Sequence, residues 1–370
     1  MGTRKRPLRI LGFEPFDAGS HRAVRESITR HSHHDWTWLT RPGRAWKWRM
    51  RLGAIEMFEQ GMRDGIFDQR FDVVFLTSLM SLADLRALFS RAGFPAIPFV
   101  LYLHENQVAY PSRSDTTQTR DWDANYALTN LTSALASDLA IFNSQWNRDS
   151  FIQGMGEILG KAPDLQLHEY AKRLESGSEV IWPPVEPPPP PPELLTSMDR
   201  KLAGPIRIAW PHRWEHDKGP DELLEIAKRY TEPLNLRWII LGERYREMPE
   251  ALSAFQGQFV DRIDHFGFAD SRDEYWRLLS RCDWVLSTAN HEFFGLGVVE
   301  AMLAGCLPWL PERLSYPELL PDEAKGISPM NPPDDAITMR RLIHNHLQPA
   351  IATNAVARLD EAIYNVVVTS

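Results

Sequence analysis

The chain has 370 residues, 43% of them hydrophobic and 24% charged, a composition typical of a globular protein long enough for two domains. Its 41 basic and 49 acidic residues give a formal net charge of −8, which argues against nonspecific coating of nucleic acid but permits a local basic surface. Two cysteines exclude a disulfide framework, and no apolar run of about 18 residues occurs, so we expect a soluble cytoplasmic protein with no membrane partner.

Short apolar runs alternate with helical patterns along the first half, and this alternation predicts a doubly wound parallel sheet. Strands are predicted at 8–13, 71–78, 98–106 and 138–144, with helices at 20–31, 82–93 and 126–138. The alternation restarts in the second half, where strands are predicted at 206–210, 236–243, 262–267, 283–288 and 307–310.

The run WPPVEPPPPPPELL at 182–195 separates the two halves, because its proline density forbids a helix or a central strand and favours an extended spacer. We predict an N-terminal Rossmann-like domain at 1–182, a proline-rich linker at 183–205 and a C-terminal Rossmann-like domain at 206–345. A final helical segment at 346–370 could pack back across the junction. A docking motif for proline-binding domains is the alternative to a plain linker.

Ligands of doubly wound sheets bind where strands end and helices begin, and two such segments lie in the first half. Gly19 permits a tight turn after the first strand, and Ser20 with the following amides offers donors to an anion at a helix start. LHENQ at 103–107 places four consecutive hydrogen-bonding side chains at the end of an apolar strand. We therefore predict a site around His104, with a histidine satisfied inside the core as the alternative.

The segment WPHRWEHDKGP at 210–220 joins a predicted strand to a predicted helix in the second half. Arg213 can bind phosphate bidentately there, and Lys218 can add a point charge. A zinc site at His212 and His216 would need a third protein ligand, and none occurs nearby at a convincing spacing. The segment therefore favours phosphate binding over metal binding.

The segment HEFFGLGVVEAMLAGCLP at 291–308 carries Glu292 and Glu300 around a predicted helix start. Amides at 295–297 could bind phosphate, which the two carboxylates would repel. Because carboxylates are strong acceptors for hydroxyl groups, we expect Glu292 and Glu300 to bind the hydroxyls of a sugar and a ribose. For Glu300 alone, a solvated helix charge is the alternative.

The segment RPGRAWKWRMR at 41–51 interleaves five basic residues with two tryptophans, and no acidic residue occurs from 40 to 55. Cations for phosphates and aromatic faces for unpaired bases are what single-stranded RNA recognition requires. The predicted RNA-binding residues are Arg44, Trp46, Lys47, Trp48 and Arg49. An amphipathic segment whose tryptophans belong to the core is the alternative.

Taken together, these segments resemble the retaining GT-B glycosyltransferases, which use nucleotide-sugar donors. The similarity covers nearly the whole chain in the order AGSH, LHENQ, FNS, WPHRWEHDK, HEFFG and EAM. Within that superfamily, WPHRWEHDK, HEFFG, HENQ and GSH are similar to the tRNA-queuosine α-mannosyltransferase family. The resemblance implies a GT-B fold, two Rossmann-like domains facing an interdomain cleft, and transfer of mannose from GDP-mannose to queuosine at the wobble position of tRNA-Asp.

The resemblance also implies the roles of site residues. Arg213 and Lys218 would bind the donor diphosphate, and Glu300 would bind the nucleotide ribose. Glu292 would hold the donor sugar, and His104 would face the reacting sugar. The implied donor-binding residues are Gly19, Arg213, Lys218, Glu292, Phe294, Gly295, Leu296 and Glu300, and the implied catalytic residues are His104, Arg213, Lys218 and Glu292. Besides the RNA-binding residues above, the acceptor would contact Ser20, His21, Asn106 and Gln107.

One segment departs from the family pattern. Many of these enzymes carry Gly-Gly before Pro-Glu after the second carboxylate, whereas this chain has RLSYPEL at 313–319. Contacts that relatives make through that loop are therefore not transferred to this chain.

The expected reaction is glycosyl transfer with retention and without a metal or other cofactor. Arg213, Lys218 and the helix-start amides would stabilise the diphosphate more as its negative charge develops. The acceptor hydroxyl would attack from the face that the leaving group vacates, with the diphosphate accepting its proton. His104 would then position a reactant rather than act as the base.

Three alternatives stay open on the sequence. A GT-B glycosyltransferase acting on a lipid or small metabolite would keep the donor chemistry and would not need the basic, aromatic segment. A non-catalytic nucleotide- or RNA-binding module would not need both carboxylates beside the cation pair. Zinc-dependent hydrolysis rests on the histidines alone.

Overall fold

The computed structural model of the protein describes residues 6–109, 117–160, 168–188, 198, 202, 204–243 and 248–369. The chain forms two compact units, described here one at a time. The first unit comprises Met1–Pro184 and Ala352–Ser370, and the second comprises Val185–Ile351. Each unit contains a parallel sheet with helices between successive strands, which confirms the predicted α/β class with two doubly wound domains.

The sheet of the first unit has six parallel strands. They are β1 (Arg9–Asp17), β2 (Asp35–Pro42), β3 (Val73–Thr77), β4 (Phe99–Leu103), β5 (Leu139–Phe142) and β6 (Ser178–Val180). Their spatial order is β2-β1-β3-β4-β5-β6. Every residue of β3 and β4 is buried, as the sequences VVFLT and FVLYL predict, because both faces of a parallel sheet are covered.

The helices of the first unit pack apolar residues against this sheet. They are α1 (Gly19–His31), α2 (Trp46–Arg63), α3 (Leu82–Arg91), α4 (Thr117–Ala136), α5 (Gln145–Leu159), α6 (His168–Gly177) and, after the second unit, α12 (Ala352–Thr369). Ser81 and Ser144 cap α3 and α5, each accepting a hydrogen bond from a backbone N–H of the first turn. The core includes Met57, Phe89 and Phe151 from three of these helices.

The sheet of the second unit has five parallel strands in the order β11-β10-β7-β8-β9. They are β7 (Ile206–Pro211), β8 (Leu236–Leu241), β9 (Ile263–Gly267), β10 (Trp284–Leu286) and β11 (Leu307–Trp309). The helices are α7 (Pro220–Tyr230), α8 (Glu250–Gln258), α9 (Arg272–Ser280), α10 (Leu296–Leu303) and α11 (Ala336–His346). Because β7 and β10 are neighbours, the loops that follow them lie at one edge of the sheet.

Three features differ from the sequence-based assignment. Strands β2 and β6 were not predicted, and β2 depends on a close approach, because a Cβ at Gly12 would lie 2.4 Å from the ring of Trp38. Most of the predicted linker at 183–205 lies outside the described residues, and Val185 already belongs to the second unit. The final helical segment predicted at 346–370 starts too early, because the second unit extends to Ile351 and the first unit resumes only with α12. No helix in the described ranges combines the length and apolarity needed to cross a bilayer.

Candidate active site

Two loops at the carboxyl ends of β7 and β10 are joined to each other in the second unit. The Thr288 hydroxyl donates to the Lys218 carbonyl at 2.9 Å, and the indole N–H of Trp210 donates to the same hydroxyl at 2.9 Å. The backbone N–H of Asn290 donates to the Asp217 carbonyl at 2.8 Å. The two predicted donor-binding segments therefore form one local structure.

A buried ion pair lies where these loops meet. The Lys218 ammonium donates to the His291 carbonyl at 2.8 Å and to Glu292 Oε2 at 3.2 Å, and it lies 3.2 Å from Asp217 Oδ2. Burial would lower the pKa of Lys218, but the two carboxylates outweigh it and raise that pKa. Burial would raise the pKa of Glu292, yet the ammonium lowers it to about 2. Both groups are therefore charged at neutral pH, as the predicted roles require.

The other residues of the 210–220 segment divide between the surface and the core. The side chain of Arg213 is 49% exposed and lies 3.2 Å from Glu215, so its guanidinium is accessible to a ligand. Trp214 is buried, with its ring centroid 4.7 Å from that of Phe266. His212 is also buried, and burial followed by the charge of Lys218 lowers its pKa to about 3. A neutral His212 and a packed Trp214 shape the loop around the two predicted cations.

Helix α10 begins directly after the loop that carries Glu292. Its N-cap Gly295 has φ 90°, a left-handed conformation that favours glycine. A Cβ at Gly297 would lie 2.7 Å from the Pro211 carbonyl, so this glycine lets the helix start approach the end of β7. The amides of Leu296 and Gly297 come first in α10 and have no intrahelical acceptor, whereas those of Val298 and Val299 donate to the Gly295 carbonyl.

Glu300 is held by two residues that sequence reasoning missed. Its carboxylate accepts a hydrogen bond from the Tyr275 hydroxyl at 2.7 Å and one from the Arg272 guanidinium. The guanidinium carbon lies 4.7 Å from the ring centroid of Trp276 and 4.9 Å from that of Tyr275. Glu300 is thus an oriented acceptor rather than a freely solvated helix charge. Arg272 and Tyr275 lie in the sequence SRDEYW, and nothing in that sequence indicates that Arg272 pairs with a carboxylate 28 residues away.

The segment that departs from the family pattern supports the same loops. The Arg313 guanidinium donates to the carbonyls of Ala289 and Thr288 at 3.2 Å each. The Tyr316 and Ser287 hydroxyls are hydrogen-bonded at 2.6 Å, and burial raises the pKa of Tyr316 well above its ordinary value. In this chain the segment RLSYPEL therefore fixes the loop after β10 through hydrogen bonds.

A second cluster of charged and aromatic side chains lies in the first unit, at the carboxyl ends of β1 and β4. Glu14, His21 and His104 are all buried. His21 Nδ1 lies 3.1 Å from Glu14 Oε1, and the two imidazole centroids are 4.1 Å apart. Glu105 extends the cluster, with Oε2 4.0 Å from His21 Nε2. The structure brings His21 and His104 together as predicted site residues and adds Glu14, which the sequence did not single out.

The pKa values of the two histidines are shifted in opposite directions. Burial alone would lower the pKa of His21, but Glu14 and then Glu105 raise it to about 10. Burial and the neighbouring charge of His21 lower the pKa of His104 well below its ordinary value. Ligand atoms of Glu14, His21 and His104 lie within 4.8 Å of one another, a composition that could hold a metal ion. The hydrogen-bonded pair of His21 and Glu14 is the geometry that the structure shows at this cluster.

The remaining residues of LHENQ hold the loop in place. Asn106 is fully buried, and its side-chain amide donates to the carbonyl and to Oδ1 of Asn147 at 3.1 and 2.7 Å. Its own Oδ1 accepts from the backbone N–H groups of Val108 and Ala109. Gln107 is buried, and its backbone N–H donates to Asn130. Asn106 is predicted to contact the acceptor, but the structure uses its hydrogen-bonding groups internally.

The first two residues of α1 are exposed to solvent. Gly19 has φ 50°, and a Cβ built on it would meet no atom within 4 Å. Ser20 is exposed in the first turn, where no side chain caps the helix. Their positions are compatible with the predicted contacts to donor and acceptor, which stay predictions.

The predicted RNA-binding residues separate into packed and exposed ones. Trp46 is half-buried, with its ring centroid 5.3 Å from that of Tyr126, whereas Trp48 is 70% exposed. Arg49 lies 3.0 Å from Glu56, which neutralises it. Arg44 and Lys47 are exposed. The alternative of an inward-packing tryptophan is thus met by Trp46, and RNA binding by the exposed residues stays a prediction.

Two family models match the chain. Residues 9–185 match the model described as tRNA-queuosine alpha-mannosyltransferase N-terminal, and residues 200–345 match the model described as glycosyl transferases group 1. The tRNA-queuosine alpha-mannosyltransferase of Drosophila melanogaster is 34% identical over 323 residues, which is 85% of this chain and 82% of that protein.

Solved structures resemble the fold at low sequence identity. The Anabaena Alr3699/HepE complex with UDP-glucose is 16% identical, with a TM-score of 0.58 over 98% of this chain and 100% of that chain. The catalytic domain of starch synthase IV from Arabidopsis thaliana, bound to ADP and acarbose, is 11% identical, with a TM-score of 0.68 over 99% and 100% of the two chains. At such identity the likeness concerns the fold alone, and it confirms the predicted GT-B class.

Proposed function

Because the chain belongs to the tRNA-queuosine α-mannosyltransferase family, and is a glycosyltransferase, we propose that it transfers mannose from GDP-mannose to queuosine in tRNA. We further propose that the tRNA is tRNA-Asp, that the modified nucleoside is at the wobble position, and that the anomeric configuration is retained. The observation that carries the donor chemistry is the buried ion pair of Lys218 and Glu292 beside the start of α10.

The donor diphosphate is proposed to bind beside Lys218, Arg213 and the first amides of α10. Lys218 is pre-positioned by three oxygen contacts, so it needs little reorganisation when a diphosphate binds. Arg213 is exposed and can close on the phosphate bidentately. Glu292 is charged, and Glu300 is oriented by its hydrogen bonds. The two carboxylates are proposed to bind hydroxyls of the sugar and the ribose, respectively.

The proposed reaction exchanges one glycosidic bond for another. The bond between the anomeric carbon and the diphosphate oxygen breaks, and its electron pair stays on the diphosphate. A hydroxyl oxygen of queuosine forms the new bond to the anomeric carbon on the same face, and its proton passes to the diphosphate. The products are mannosylated tRNA and GDP. Charge develops on the leaving group, so a cation fixed beside it stabilises the transition state more than the bound donor.

We propose that the protein is cytoplasmic. The buried free thiols of Cys282 and Cys306 support a reducing compartment.

We further propose that the cationic site around Lys218 makes a metal ion unnecessary. Transfer that persists in excess chelator is the expected result for metal independence. Activity that is lost with chelator and restored by a divalent ion would contradict it.

The test is incubation with GDP-mannose and tRNA that contains queuosine, followed by digestion and nucleoside mass spectrometry. A hexose added to queuosine, and no addition to the same tRNA lacking queuosine, is the expected result. Addition to a lipid or small metabolite instead, or no addition with any nucleotide sugar, would contradict the proposal.

Variants of the ion pair connect the activity to this site. Lys218→Met removes the ammonium and leaves Glu292 without its main partner, so we expect transfer to fall at least about 100-fold and stability to fall by about 3 kcal/mol. Lys218→Met combined with Glu292→Gln restores part of the stability, because no carboxylate is left without its partner, but not the activity. Recovery of transfer in the double variant would show that Lys218 acts only through stability.

A further inference from the structure

One surface of the first unit combines cations and apolar side chains in two adjacent rows on α2. Lys47 and Arg51 are one helical turn apart and form the first row. Trp48, Leu52 and Ile55 form the second row at the same helical spacing, and they are 70%, 49% and 44% exposed. Arg44 is exposed and lies two residues before the helix begins. Large apolar side chains exposed together in this way mark an interaction surface.

We infer that Arg44 and the first turns of α2 bind a single-stranded segment of the tRNA, with phosphates on Arg44, Lys47 and Arg51 and an unpaired base on Trp48. This inference rests on the proposed function for the identity of the RNA. It replaces two of the residues predicted from the sequence, because Trp46 packs inward and Arg49 is paired, and it adds Arg51.

The basic residues near this surface differ in whether they have a carboxylate partner. Arg41 and Arg49 both bind Glu56, with contacts of 2.7 and 3.0 Å. Within the ranges that the structure describes, Lys47 and Arg51 have no carboxylate partner, and their charges lie 6.0 and 5.4 Å from the ring centroid of Tyr126. In a chain with a net charge of −8, these cations are complementary to a polyanion.

The surface adjoins the histidine cluster of the same unit. Gly43 packs so closely on the end of β1 that a Cβ would lie 3.2 Å from the Phe16 ring and 2.1 Å from the Cβ of Ala18, the residue after the strand. Phe16 in turn contacts the His21 ring, with centroids 5.7 Å apart. A strand bound along α2 would therefore pass next to the turn that leads into α1 and to His21, where the acceptor is predicted to bind.

Acidic residues limit the surface to the first half of α2. Met62 continues the apolar row and is 51% exposed, but Glu59 and Asp64 flank it. An anionic membrane would contact the whole length of such a helix, whereas a short RNA strand needs only the cationic half. The charge distribution therefore favours RNA.

The test measures binding of an unmodified anticodon stem–loop transcript by fluorescence anisotropy, without donor, between about 50 and 200 mM salt. Trp48→Ala is expected to weaken binding about ten-fold or more, because stacking on one base is lost. Lys47→Ala combined with Arg51→Ala is expected to reduce the slope of log affinity against log salt by about 1.4, since each phosphate contact contributes about 0.7 for single strands. Met62→Ala and Arg63→Ala, on the acidic half, are the matched controls.

Two outcomes would overturn the inference. One is unchanged affinity and salt slope in the Trp48 and Lys47/Arg51 variants. The other is binding of phosphatidylserine vesicles that these variants abolish while RNA binding is unchanged. Because the transcript carries no queuosine and no donor is present, the result does not depend on sugar transfer. A chain that binds RNA through α2 but transfers no sugar would contradict the proposed function and leave this inference in place.

Discussion

Single residues decide the charge at both clusters, and in each case a buried carboxylate is the cause. Glu292, together with Asp217, raises the pKa of Lys218 in the second unit, and Glu14, together with Glu105, raises that of His21 in the first. Burial opposes both charges, so each cation depends on its partner rather than on solvent. His104 is the opposite case, because burial and its cationic neighbour keep it neutral.

Glu14→Gln tests this dependence in the first unit. His21 has a pKa of about 10 in the folded chain against an ordinary value of 6.5, so its pairing contributes stability that is complete below about pH 6.5 and is lost as the pH rises through about 10. Without the Glu14 carboxylate, Glu105 alone opposes the effect of burial, so the pKa of His21 falls from about 10 toward 6.5. Histidine-selective NMR titration measures the pKa, and urea unfolding at pH 6.5 and 9.5 measures the stability.

Glu26→Gln on the exposed face of α1 is the matched control. It removes a carboxylate from the helix that carries His21 but leaves the His21–Glu14 pair intact. It should leave the titration unchanged. If His21 in the unaltered protein is neutral at pH 8, or if Glu14→Gln leaves its pKa near 10, the assignment of charge in this cluster is wrong.

Among the structural elements, the turn from β7 to α7 depends on one glycine. Gly219 has φ 66°, and a Cβ on it would lie 2.1 Å from the Thr288 carbonyl oxygen. That carbonyl belongs to the loop after β10, which also hydrogen-bonds to the Lys218 carbonyl through the Thr288 hydroxyl. A side chain at 219 would push apart the two loops that hold Lys218 and Glu292.

Gly219→Ala is therefore expected to destabilise the protein by at least about 2 kcal/mol, from a strained backbone together with a steric clash. Because Lys218 is displaced, donor affinity should also fall. Gly257→Ala, at an exposed helical position with no atom within 4 Å of the new Cβ, should be neutral or stabilise by up to about 1 kcal/mol. Denaturant unfolding and calorimetric titration with the nucleotide give the two readouts. Equal effects of the two substitutions would contradict the account.

At the scale of the whole molecule, the end of the chain returns to the unit in which it began. Asp360 of α12 is buried and accepts hydrogen bonds from the Ser32 hydroxyl at 2.7 Å and from the His33 backbone N–H at 3.0 Å. Its Oδ2 also lies 2.6 Å from His33 Nδ1. One carboxylate thus fastens the last helix to the end of α1, more than 320 residues earlier in the sequence.

Asp360→Ala is expected to cost about 3 kcal/mol, because several charge-assisted hydrogen bonds are lost and buried donors are left without an acceptor. Protease sensitivity of α12 should rise with it. Arg358→Ala, at an exposed position of the same helix, should change the stability by less than about 0.5 kcal/mol. Unfolding curves and limited proteolysis distinguish the two. An Asp360→Ala protein as stable as the Arg358→Ala protein would show that α12 is held by apolar packing alone.

The sequence by itself determined the two doubly wound domains and the segments that follow their strands, because hydrophobic alternation and turn residues are local properties. It also predicted Lys218, Glu292 and His104 as site residues. Only the tertiary structure decided the partners: Arg272 for Glu300, Glu14 for His21, and the separation of an inward Trp46 from an exposed Trp48. These pairings join residues far apart in the chain or distinguish neighbours by the face of a helix, and no local pattern specifies which distant surface covers a side chain.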